Sequence, residues 1–165
     1  MLKNIRRMVF ETNSSSSHSL SIVGANNMAL PRDNTPRNVT VIPGEYGWGY
    51  ERLDDVWSRL GYIVTAIQYH DEQICPHIYS DNKDAVVIEN SHYFKWLSEM
   101  TQDYIGWTLI YEKSDDQWYP HGYIDHLSVG LLEDYFVEDE AKFKENMRDI
   151  IFNDKYDIII DNDNH

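Results

Sequence analysis

Apolar positions in this chain recur with two different periods. Val56, Trp57, Leu60, Ile63, Val64 and Ile67 fall at offsets of 0, 1, 4, 7, 8 and 11, which is one stripe along an α-helix and predicts a helix from about Arg52 to Tyr69. Arg59 lies off that stripe and is expected to face water. A second stripe, Tyr93, Phe94, Trp96, Leu97, Met100 and Tyr104, begins just after Asn90 and Ser91 and ends at Gly106. Either Asn90 or Ser91 can cap that helix by accepting a backbone N–H. Residues 128–152 predict one or two more helices that bury Leu131, Leu132, Tyr135, Phe136, Phe143, Met147, Ile150 and Ile151.

Shorter apolar runs bounded by turn residues read as strands: 8–10, 20–23, 39–42, 85–89, 107–112 and 156–161, with 74–79 less regular. The polar turn 113–116 places a partner strand from Trp118 beside 107–112 as a hairpin. Residues 24–38, rich in Asn, Asp, Gly and Pro, read as a loop. Residues 44–51 interleave three glycines with aromatics and carboxylates. Glycine permits positive φ and close backbone approach, so the expectation there is a sharply turned, aromatic-anchored loop leading into a helix. Five or more strands with about three helices, in no strict alternation, predict a single α+β domain over residues 1–165 with a largely antiparallel sheet. Residues 1–10 form its basic lead-in and first strand, and 162–165 a frayed tail.

Composition narrows the function classes. The 165 residues carry 28 acidic and 14 basic side chains, a net charge of −14. Residues 1–37 hold five of the basic groups and only two of the acids, so the deficit lies entirely in the rest of the chain. Such a balance disfavours direct binding to nucleic acid or to an anionic membrane, because both attract lysine and arginine clusters. Such a charge ordinarily just keeps a small protein soluble, and it also suits a cationic surface that normally holds DNA or RNA. The single Cys75 excludes an internal disulfide framework. No apolar run is long enough to span a bilayer and no signal-peptide core precedes the first strand, so the expected location is the cytoplasm.

One stretch gathers chemistry-bearing side chains. In residues 11–20, Glu11 and His18 bracket Thr12, Asn13 and four serines, Ser14 to Ser17, between two expected strands. Ser, Thr and Asn side chains compete for backbone hydrogen bonds, so such a cluster holds a loop in shape while presenting hydroxyls together. The same cluster also reads as a plain polar hairpin loop. A second constellation, His121 to Ser128, contains Asp125, His126 and Ser128. If these segments converge with Glu45, a polar pocket results, with Asn13, Ser14, Ser16, Asp125 and Ser128 lining it and Arg6 or Arg7 holding a phosphate. Glu11, His18 and His126 would be its acid/base groups. His77, His121, Asp125 and His126 could hold a divalent metal, but their spacing matches no strong ligand pattern, so no cofactor is expected. Phosphate-loop, nucleophile-elbow and His-Glu-x-x-His motifs are missing from the sequence.

Three segments carry a resemblance. Arg-Arg-Met-Val-Phe-Glu-Thr-Asn-Ser-Ser-Ser-Ser-His-Ser from Arg6, Gly-Glu-Tyr-Gly-Trp-Gly-Tyr-Glu from Gly44 and Ile-Asp-His-Leu-Ser from Ile124 resemble a set of small uncharacterised proteins of bacteriophage and mobile-element genomes. The resemblance implies phage origin and no particular reaction. It suggests an accessory factor in the host cytoplasm, directed at a host protein such as a defence nuclease. Two function classes follow. One is an anti-CRISPR-like inhibitor that mimics DNA, placing Glu133, Asp134, Glu138, Asp139, Glu140 and Glu145 in the basic groove of a nucleic-acid-handling protein. The other is an enzyme acting on a nucleotide or phosphoester through the Ser/His/Glu pocket.

Overall fold

The computed structural model describes residues 18–23, 36–78, 80, 85–125 and 132–162. Among them the fold is α+β, three α-helices packed with small sheets. The first helix, α1 (Val56–His70), starts where the Asp55 carboxylate accepts the backbone N–H groups of Trp57 and Ser58 at 2.8 and 3.0 Å. Four residues later than expected, it begins at the cap rather than at the charged lead-in.

The helix stripe 60, 63, 64 and 67 is buried, as its period requires, yet the rest of α1 from Arg59 to Gln68 is buried too. Solvent reaches α1 at its two ends, at the start where Trp57 is 51% exposed and at the half-buried Tyr69 and His70. The expectation of a water-facing Arg59 is therefore overturned. Arg59 is 2% exposed, and its Nη1 donates to the carbonyl oxygens of Ile150, Asn153 and Tyr156, while Nε donates to Asp55 O. Those carbonyls lie at and just beyond the end of the last helix, where four have no intrahelical partner. A long cation at the core edge satisfies several of them at once.

Strand β1 (His18–Val23), the strand expected at 20–23, pairs antiparallel with β7 (Asp157–Asn162). The other edge of β7 carries β4 (Glu51–Leu53), also antiparallel, giving the three-stranded order β1-β7-β4. Arg52 closes this edge by donating to Asp157 Oδ2 from Nε at 2.8 Å and from Nη2 at 2.6 Å. The other two ladders are parallel: β2 (Arg37–Val41) with β5 (Trp107–Tyr111), and β3 (Glu45–Tyr46) with β6 (Tyr123–Ile124). In the first, Val39, Val41, Trp107, Leu109 and Tyr111 turn inward and Thr40, Thr108 and Ile110 outward.

Several local expectations give way to this topology. Residues 107–111 form a strand, but its partner is β2 and no hairpin forms with the segment from Trp118, which is a turn. The turn instead closes through Ser114 N–H to Pro120 O at 2.8 Å and Gly122 N–H to Tyr119 O at 2.9 Å. Residues 74–78 turn through the 3₁₀ segment Cys75–His77, because Asp71 accepts backbone N–H groups and ends α1 there. Residues 85–89 are no strand either. They lead into the 3₁₀ turn Ile88–Asn90 and bury Val86 and Ile88 as plugs. The aromatic loop 44–51 contains two short strands, β3 and β4, at its ends.

Helix α2 (His92–Ile105) has Ser91 as its cap and ends at Gly106, whose φ of 77° is the left-handed conformation that a helix C-terminus needs. Phe94, Leu97 and Met100 are buried, whereas Tyr104 lies 45% exposed at the end of the expected stripe. Helix α3 (Glu140–Phe152) buries Phe143, Met147, Ile150 and Ile151, all four expected. One apolar cluster runs through α1, α2, α3 and the inward strand faces. Among the described residues, no helix is long and apolar enough to cross a membrane.

Candidate binding surface

Most of the expected pocket lies outside the described residues. Arg6, Arg7, Glu11, Asn13, Ser14, Ser16, His126 and Ser128 all fall there. His18 opens β1, its Cα opposite Asn162. Glu45 and Asp125 are brought to the same ladder, since Glu45 pairs with Tyr123 and the Asp125 N–H donates to Tyr46 O at 3.1 Å. His77 is exposed in its 3₁₀ turn, whereas His121 is buried with Nδ1 2.8 Å from Tyr111 Oη. Among the described residues no three His, Cys, Asp or Glu side chains converge as a metal site requires.

The six carboxylates expected to face a partner are exposed, but they are not equivalent. Asp139 caps α3 by accepting Lys142 N–H at 2.8 Å. Lys144 bridges Glu140 and Glu99 of α2, and Lys142 pairs with Glu145 at 2.7 Å. The hydrogen bond from Lys142, then its charge, lowers the Glu145 carboxyl below its ordinary value. Glu138 Oε1 accepts Tyr93 Oη–H at 2.9 Å. Two basic side chains thus offset part of this face, and Glu133 and Asp134 present their charge from the turn before α3.

A second polar cluster at the start of α2 was not legible as a unit, because Asp71 and Glu138 reach Ser91, His92 and Tyr93 from 20 and 45 residues away. Ser91 Oγ donates to the buried Asp71 Oδ2 at 2.6 Å and accepts Tyr93 N–H at 3.2 Å. His92 Nδ1 lies 3.6 Å from Asp71 Oδ2, and its Nε2 is 3.4 Å from Glu138 Oε2 without making a hydrogen bond. Serine, histidine and two carboxylates meet here, but the serine is committed as a helix cap and its hydroxyl proton to Asp71. The arrangement ties the end of α1 to the start of α2.

The third feature is a groove of about 420 Å³ between the end of α1 and the 118–123 turn, with Gln68, Ile78, Val86, Trp118, Tyr119 and Tyr123 among its walls. Glycine shapes it. Gly122 has φ 73°, and a Cβ there would meet Gly44 O at 2.4 Å, so the two backbones touch as no other residue would allow. Tyr123 N–H donates to Gly44 O at 2.9 Å, and Gly44 N–H donates to Thr65 Oγ1 at 3.0 Å. The aromatic loop is thereby locked onto α1. Trp48 stacks on Tyr123 with ring centroids 5.3 Å apart, and Tyr119 packs on Tyr123 at 4.8 Å. Trp48 is 60% exposed and Trp118 is 75% exposed. Asp116 Oδ1 fixes the rim by accepting the N–H groups of Trp118 and Tyr119, both at 2.7 Å. The aromatic anchor expected of the 44–51 loop is Tyr46, which packs on Tyr62 of α1, while Trp48 stacks on Tyr123 at the groove rim.

Compared with protein-family models, curated proteins and solved structures, the chain matches none of them.

Proposed function

We propose that this chain is a binding protein that occupies the basic, nucleic-acid-handling surface of a host protein and so blocks it. The observation that carries this reading is the net charge of −14, all of it arising beyond residue 37. Electrostatic attraction between an acidic chain and a cationic groove raises the association rate and orients the encounter. The acidic turn and helix that begin at Glu133 supply part of that field. Their exposure costs the fold little, because the core of α3 lies on the opposite face.

The test is retention. The full chain is immobilised and host proteins retained at low salt are challenged with duplex DNA. The reading expects basic, nucleic-acid-binding proteins that DNA displaces. Retained proteins that DNA leaves in place would contradict it.

A further inference from the structure

We propose that the groove beside Trp118 receives one arginine side chain of the basic partner. This rests on the reading of the chain as a binder of a cationic surface and assigns that reading a specific contact. Four observations converge. The first is the rim: Trp48, Tyr123 and Tyr119 form a succession of packed rings, with Trp118 held beside them at 75% exposure. Exposed aromatic faces attract cations through the ring quadrupole, most strongly on tryptophan.

The second is the polar chemistry of the floor. Gln68 is 2% exposed, and its Nε2 donates to the carbonyl oxygens of His121 and Gly122 at 2.9 and 3.3 Å. Two carbonyl acceptors require the NH₂ end, which fixes the amide orientation and leaves Oε1 as its remaining hydrogen-bonding atom, an acceptor. A ligand that brings donors matches this floor.

The third is charge. None of the described lining residues is lysine or arginine, and the Asp116 carboxylate sits at the base of the rim. Among the described residues of the lining an anion would find no lysine or arginine, and it would meet a strongly negative chain. The fourth is that the fold already stacks arginine in this way elsewhere. Trp57 and Trp107 lie parallel at 4.8 Å, with Arg37 Cζ 4.6 Å from the Trp107 ring centroid. Arginine is favoured over lysine because its planar guanidinium is weakly hydrated, stacks on rings and presents five donors.

The experiment uses the full chain and three blocked tripeptides, Gly-Arg-Gly, Gly-citrulline-Gly and Gly-Pro-Gly, titrated by amide NMR. Citrulline keeps the shape of arginine without its charge. The expected result is that only the arginine peptide shifts the amides of Gly122 and Tyr123. Trp118→Ala should weaken that binding about tenfold, whereas Tyr50→Ala, another exposed ring outside the groove, should leave it unchanged. Equal binding of the citrulline peptide, stronger binding of the proline peptide, or a Trp118→Ala chain that binds arginine like the wild type would each overturn the assignment. DNA-sensitive retention of a basic protein would then still stand. Conversely, arginine binding that Trp118→Ala abolishes supports the groove even where retention fails.

Discussion

Arg59 Nη1 donates to the carbonyl oxygen of Ile150 at 3.2 Å, joining the first turn of α1 to the last turn of α3 across 91 residues. The same nitrogen reaches Asn153 O and Tyr156 O, so one side chain gathers the chain just before β7 begins. Burial lowers the Arg59 pKa, and the charges of Asp157 and Asp55 oppose that shift. Arg59→Ala is expected to destabilise the fold by about 3 kcal/mol or more, since it strands buried carbonyls. Leu60→Ala and Ile63→Ala should cost about 2–5 kcal/mol each through lost burial and cavities. Urea unfolding midpoints at unchanged slope check all three. A near-neutral Arg59→Ala would show that these carbonyls find water instead.

Gly122→Ala should cost about 2 kcal/mol or more, because the substitution strains a φ of 73° and drives a methyl group against Gly44 O. Gly49→Ala meets nothing within 4 Å and serves as the contrast, with an expected change under about 0.5 kcal/mol. Thermal midpoints of the two variants decide it. Equal shifts would mean that the Gly44–Gly122 contact is loose.

The helices were legible because their signals are local. Leu60, Ile63, Val64 and Ile67 keep one period, Ser91 and Gly106 bound α2, and Phe143 to Ile151 repeat on α3. The strand that became β7 was legible as an isoleucine run, but its neighbours were not. Pairing with β1 and β4 joins residues over 100 apart, and no local pattern encodes that choice. Apolar runs such as 85–89 misled for the same reason: burial without a ladder partner leaves a turn rather than a strand. Arg59 misled because a cation off the stripe ordinarily faces water, and the carbonyls it serves belong to α3 and the turn after it. The groove was not legible: the aromatic loop at 44–51 only borders it, through Trp48 stacked on Tyr123, and its wall joins Gln68 of α1 to His121 and Gly122 across 53 and 54 residues, a pairing that no local pattern encodes.

Glu51 offers a pH test. Burial raises its carboxyl above the ordinary value of 4.5, against the lowering effect of hydrogen bonds from the Gly47 and Trp48 backbone. A raised carboxyl favours the folded state while protonated, so folding stability should fall as pH climbs from that ordinary value through the raised one. Glu51→Gln keeps an oxygen for Gly47 N–H, which Glu51 accepts at 2.8 Å. It should flatten this segment of the stability profile. A profile unchanged by the substitution would place Glu51 in water rather than against the loop.

The acidic face separates into a cap and a field. Asp139→Ala should cost about 1 kcal/mol because Lys142 N–H loses its acceptor, while Asp139→Asn, which caps as well, should cost little. Unfolding of the two variants distinguishes these roles, and equal losses would show that the charge, not the cap, stabilises α3.

On the proposed function, charge brings this chain to its partner. The most direct measurement is the association rate of the full chain with a retained basic protein over increasing salt, for the wild type and for a variant with Glu133, Asp134, Glu138, Glu140 and Glu145 changed to glutamine or asparagine. Because the Debye length falls from about 10 Å at 0.1 M to about 3 Å at 1 M, the account predicts a steep fall in the wild-type rate. It also predicts a slower, flatter profile for the variant at unchanged stability. A wild-type rate indifferent to both salt and the amide substitutions would contradict it.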